Sequence, residues 1–147
     1  MGWFGIKTKK DAKRIQEAQR IENNKKKQKE LGIKFYQEIS NAAAQNKKYN
    51  LLYDDAIKVE RVSDSLGPIE VIPYTDSDNS IEGVLVEIKE KTAITPRMVV
   101  QASFNVEQDK IHVLWGAYGP EENKNISSFD EILASIVKHV RDYKAYG

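Results

Sequence analysis

The sequence predicts an α+β protein: an N-terminal helical arm and a helix, an antiparallel β-meander of four to five strands, and a C-terminal amphipathic helix packed on the sheet. Three observations carry this. Apolar residues recur at three- and four-residue steps towards both ends of the chain, the period of a buried helix face. Between them the period falls to two, as in half-buried strands. The alternating runs are joined by short polar loops, which connect antiparallel neighbours.

The first segment is set apart by charge. From Met1 to Lys34 there are eleven Lys or Arg against four acids, a net of +7. The remaining residues carry twelve basic and eighteen acidic side chains, a net of −6, so the overall +1 hides a cationic arm on an anionic body. The expected division is a basic helical arm over residues 1–30 and a single α+β domain over 31–147. Thr8 followed by Asp11 has the spacing of a capping box, and Lys9 to Ile21 contains neither Gly nor Pro. Ala12, Ile15, Ala18 and Ile21 recur every three residues, a series that drifts by about 60° per step and makes no single core-facing stripe. Asn23-Asn24 and the lysines that follow are expected to weaken this helix before Gly32.

A core-facing stripe comes next: Leu31, Phe35, Ile39, Ala42 and Ala43. Leu51, Leu52, Ala56 and Ile57 are expected to add a turn or two of helix. Val59 to Val62 reads as a first strand, closed by the turn signal Ser63-Asp64-Ser65-Leu66-Gly67-Pro68. Ile69 to Tyr74 is a second strand, which Pro73 pushes towards a sheet edge or a bulge. Beyond the polar loop Thr75 to Ser80, Ile81 to Lys91 places Val84, Val86 and Ile88 on one face. Val100, Ala102, Phe104 and Val106 alternate with polar residues, as do Ile111, Val113 and Trp115. Their spacing predicts a hairpin with Val106 opposite Ile111. The last helix opens on a capping box, Ser128 with Glu131, and Phe129, Ile132, Leu133, Ile136, Val137 and Val140 form its core face.

Composition excludes several kinds of chemistry. The chain has no cysteine, hence no disulfide, thiolate ligand or cysteine nucleophile. No apolar run nears the ~20 residues that span a bilayer. Gly5-Ile6 passes into Lys7-Thr8-Lys9-Lys10 without the apolar core of a signal peptide, so a cytoplasmic protein, or one within an intracellularly assembled particle, is expected.

No catalytic, cofactor or metal site is expected. His112 alternates with Ile111 and Val113 and so points away from the core, while His139 falls on the polar side of the last helix. Neither has the partners of a triad or a zinc site. Asp76, Asp78, Ser80, Glu82 and Glu87 occupy positions one, three, five, seven and twelve of an EF-hand-like register, but Ile81 stands where glycine is needed. A solvated hairpin loop accounts for them. Gly116 to Pro120 lacks the phosphate-binding spacing of glycines. Glu107, Tyr118 and Asp130 are polar groups that a pocket between the sheet and the last helix would use, with nothing in the sequence to gather them.

The functional expectation therefore rests on the arm. Trp3, Phe4 and Ile6 put apolar surface on an otherwise polar terminus, and aromatic anchors are typical of protein interfaces. Docking in a partner's groove is favoured over insertion in lipid or folding back on the body. Lys9, Lys10, Lys13, Arg14, Arg20, Lys25, Lys26, Lys27 and Lys29 supply the cationic surface. The expected function is a non-enzymatic interaction or assembly protein whose arm engages a protein partner or a further subunit. A viral or mobile-element complex is one such setting. The alternative is a nucleic-acid accessory protein whose arm lies along phosphates. Against it, no aromatic is interleaved with the lysines, and Lys outnumbers the better phosphate fork, Arg, by eighteen to five.

Overall fold

The computed structural model describes residues 9–46, 51–54, 59–62, 66–90 and 95–143. Trp3, Phe4, Ile6 and Thr8, with the turn residues Ser63 to Ser65, lie outside them, as do Ala56, Ile57 and Lys91.

The polar arm and the first core-facing stripe form one helix, α1 (Lys9–Gln45), of 37 residues. It is about 55 Å long at 1.5 Å per residue. The expected weakening at Asn23-Asn24 does not occur, and the boundary placed near residue 30 falls inside continuous helix. Asparagine costs a helix interior less than ~1 kcal/mol relative to alanine. Burial of Phe35, Ile39 and Ala42 holds the C-terminal half in place. Gly32 is a contact rather than a stop. A Cβ there would lie 2.4 Å from the carbonyl oxygen of Ile81, so the missing side chain lets helix and sheet approach.

Leu51 and Leu52 do not extend a helix. They begin strand β1 (Leu51–Asp54), which pairs antiparallel with β2 (Val59–Val62) in a separate two-stranded sheet. Leu-Leu-Tyr suits a pleated strand as well as a helical turn, and the partner strand decides between them.

The main sheet is the expected antiparallel meander, in the order β3 (Leu66–Thr75), β4 (Ile81–Glu90), β5 (Arg97–Asn105), β6 (Lys110–Leu114) and β7 (Glu121–Lys124). Leu66, Gly67 and Pro68 belong to β3 rather than to a turn, and Pro73 lies on this edge strand, where its missing N–H costs no ladder bond. The β5–β6 hairpin pairs Phe104, not Val106, with Ile111. Asp109, at φ 56°, takes the left-handed position of its Val106–Asp109 loop. Strand β7 had no signal in the alternation, because Glu-Glu-Asn-Lys buries neither face.

Helix α2 (Phe129–Asp142) follows a 3₁₀ turn, Ile126–Ser128. Ser128 stands at the N-cap without a side-chain cap bond, so the expected capping box does not form. The preceding turn is held instead by the Ile126 N–H, which donates to Asp109 Oδ1 at 3.0 Å. Both long helices pack on one face of the sheet. Phe35, Phe104 and Phe129, one from each of α1, β5 and α2, meet with ring centroids 5.2 to 5.8 Å apart. Val84, Val86, Ile88, Val100, Ile111, Val113, Leu133, Ile136 and Val140 complete the buried layer. At the far end Asn46 Nδ2 donates to the carbonyls of Val140 (2.7 Å) and Tyr143 (3.1 Å), so the residue after α1 caps the end of α2. Among the described residues no helix is long and apolar enough to cross a membrane.

Candidate functional site

Helix α1 lies in two different surroundings along its length. From Gln28 onwards it is tied to the body. Gln28 Oε1 accepts from the Val106 N–H at 3.0 Å, and its Nε2 donates to the carbonyls of Ile81 (3.4 Å) and Phe104 (3.5 Å). One side chain thus bridges the β3–β4 and β5–β6 ends of the sheet. Towards the N-terminus the contacts thin out. Arg20 pairs with Glu17 at 2.6 Å and reaches Glu107 at 3.7 Å. The guanidinium hydrogen bond, with its charge, holds the Glu17 carboxyl below the usual carboxylate range.

Lys9, Lys10, Lys13 and Arg14 lie beyond that point, all exposed, and every residue from Lys13 to Arg20 is exposed too. Ile15 is 41% exposed. The eleven residues Lys9 to Gln19, about 16 Å of helix, therefore continue beyond the Arg20–Glu107 contact with their cations in solvent, while Asp11 and Ala12 are half-buried.

The expected lysine cluster is divided. Lys25 and Lys29 line a cleft of about 180 Å³ together with Asn24, Asp76, Asp78, Glu82 and Glu107. Lys26 and Lys27 are turned away from it into solvent. The cleft sets two arm lysines opposite the acidic hairpin tips of the same chain, without closing an ion pair there among the described residues. The EF-hand-like carboxylates also find ordinary employment. Asp76 Oδ1 accepts from the N–H groups of Asp78 (2.9 Å) and Ser80 (3.0 Å), which turns the β3–β4 loop. Among the described residues no three metal-ligating side chains come together.

His112 points, as expected, to the face of the sheet opposite the helices, where it meets Glu121 across β6 and β7. His139 departs from expectation. Instead of lying in solvent it is half-buried between Trp115 and Tyr143, with ring centroids 5.1 and 5.6 Å away. Its Nε2 lies 3.3 Å from the Val99 carbonyl oxygen. Periodicity placed it correctly on the helix but could not show that the end of β6 and the chain after α2 cover that side. Glu107, Tyr118 and Asp130 do not converge: Glu107 faces Arg20, Asp130 faces Lys34 at 3.2 Å, and Tyr118 is fully exposed.

The face of the main sheet opposite the two helices carries a pattern that residue-by-residue reading missed. Strand register aligns Ile72, Leu85, Gln101, Leu114 and Glu121 in one row across all five strands. In the adjacent row Tyr74 stands opposite Gly83, and Tyr74 Oη accepts from Gln101 Nε2 at 3.3 Å across the gap the glycine leaves. On the other side Glu70 stands directly opposite Glu87. Only the alternation of each strand was legible. The rows follow from the register, and the register depends on where the bulges fall.

Compared with family models, with curated proteins and with solved structures, the chain matches none.

Proposed function

We infer that the chain is a non-enzymatic interaction protein of a larger assembly, engaging a protein partner through the N-terminal part of α1. One observation carries this reading. A helix continues about 16 Å past the Arg20–Glu107 contact with most of its side chains in solvent, bearing four cations and an exposed isoleucine. A mostly solvated helix has little to stabilise it, because most helical stability in proteins comes from packing. Joined to an anchored helix, it becomes a ready binding element whose ordering cost is already partly met. Trp3, Phe4 and Ile6, outside the described residues, sit at its tip in sequence.

The test is co-purification of the tagged chain from its native cell, compared with a variant lacking residues 1–20. Protein partners should be lost from the truncated form. An unchanged partner set would overturn the reading. Binding of the full chain to duplex nucleic acid with a steep salt slope, roughly 0.9 log units per phosphate contacted, would replace it with the phosphate-binding alternative.

A further inference from the structure

Among the described residues, both long helices cover one face of the main sheet and neither lies on the other. We propose that this other face receives the N-terminal segment of α1 from a second copy of the chain, so that the protein assembles head to tail. The proposal rests on the reading of α1 as a binding element and names its partner.

The chemistry of the face fits the segment. Ile72, Leu85 and Leu114 form an apolar track along one row of the register, with Gln101 within it and Glu121 at its β7 end. These three side chains are outside the hydrophobic core, and Ile72 is 38% exposed. Beside the track, Glu70 and Glu87 are direct cross-strand partners. Like charges placed directly opposite one another destabilise a sheet. A cation laid over the two carboxylates would turn that repulsion into attraction. Lys9, Lys10, Lys13 and Arg14 are exposed cations on a helix that also exposes Ile15. Dimensions agree as well. Five strands spaced about 4.8 Å apart give a row roughly 19 Å wide, and Lys9 to Gln19 is about 16 Å of helix.

The same copy cannot supply the segment. Its α1 belongs to the helix layer, on the other side of the sheet, and is one continuous helix from Lys9 to Gln45. Ile15 lies about 140° around the helix from Gln28, the residue that marks the body-facing side, at 100° per residue. Reaching the opposite face would require breaking the helix. Donor segment and acceptor face are therefore different surfaces, and such a heterologous contact propagates into an open chain or closes into a ring.

Sedimentation equilibrium of the full chain at low salt tests this. The mass should exceed the 16.8 kDa of the monomer, rise with concentration and fall as salt is added. Ile15→Glu in the segment and Glu87→Lys on the face should each weaken self-association by about tenfold or more. Glu87→Lys should also raise the melting temperature, because it converts an opposed carboxylate pair into an opposite-charge pair. Loss of association in that variant is therefore not loss of fold.

Mixing the two variants is decisive, since each keeps one intact half. The pair should form a 1:1 dimer that grows no further. The proposal is overturned if the unsubstituted chain is monomeric at every concentration. It is equally overturned if Glu87→Lys associates like the parent, or if the mixture stays monomeric. If the chain is monomeric but partner proteins still depend on residues 1–20, the second-copy proposal falls and the broader reading stands.

Discussion

Gly32 on α1 lies so close to the start of β4 that a Cβ would meet the Ile81 carbonyl oxygen at 2.4 Å. In an isolated helix Gly→Ala is stabilising by up to about 1 kcal/mol. Here the obstructing atom is backbone, held in the ladder, and the helix itself must move. Gly32→Ala should therefore destabilise the protein by about 1–3 kcal/mol, the usual range for overpacking. A urea titration reads this as a lower midpoint at unchanged slope. A stabilised variant would show that the approach of α1 to the sheet is looser than the geometry states.

Asn46 gives a second expectation. Its amide nitrogen serves two carbonyls at the end of α2, and the residue is buried. Asn46→Ala should cost about 1–3 kcal/mol, the range for leaving buried polar groups unsatisfied. Asn46→Asp should cost more at neutral pH, because it sets a carboxylate against the Val140 and Tyr143 carbonyl oxygens. Its excess cost over Asn46→Ala should shrink as the pH falls, since a protonated acid donates a hydrogen bond where a carboxylate cannot. Thermal unfolding of both variants across acid pH distinguishes the two, and equal losses at every pH would refute the capping role.

Truncation should locate the working boundary of the arm. Removing residues 1–20 takes away the contact of Arg20 with Glu107, an exposed pair of the kind that contributes ~0–1 kcal/mol, and cooperative unfolding should persist nearly unchanged. Removing residues 1–30 also removes Gln28 and leaves the Val106 N–H without its acceptor. That step should cost about 1–3 kcal/mol more. If the shorter cut already abolished a cooperative transition, the projecting segment would belong to the core.

The buried face of α2 supplies a control. Ile136 is fully buried, so Ile136→Ala should destabilise by about 2–5 kcal/mol, and Ile136→Asp should prevent folding at neutral pH. A native-like, soluble aspartate variant in circular dichroism would mean that α2 does not seal the core.

What the sequence made legible was what repeats. The 3, 1, 3, 1, 3 spacing of α2 and the alternation in β4 and β5 identify buried faces directly, because each period is the geometry of its own backbone. Where neither face is buried the signal vanishes, as in Glu121–Lys124 of β7. The continuity of α1 was hidden for a related reason: around Asn23-Asn24 the helix is mostly solvated, and its persistence depends on what anchors it further on. At the candidate site, the positive charge of the arm was evident from composition. The facing of Lys25 and Lys29 towards Asp76 and Glu107 was not, since it depends on how α1 lies against two hairpins distant in sequence. Gln28 gave no hint of its importance, because a glutamine acting as a bridge looks like any other polar residue on a helix.

The unbroken course of α1 makes it a lever. Its fulcrum is the Gln28 bridge and the close seat of Gly32. From Gln28 the helix extends about 28 Å to Lys9 and about 27 Å to the Asn46 cap, at 1.5 Å per residue. Phe35, Ile39 and Ala42 clamp the inner arm along its length, so a load at the cationic tip is borne first where the helix meets the sheet beside the fulcrum. Whatever grips the tip therefore pries at the seat of Gly32 before it strains the joint with α2.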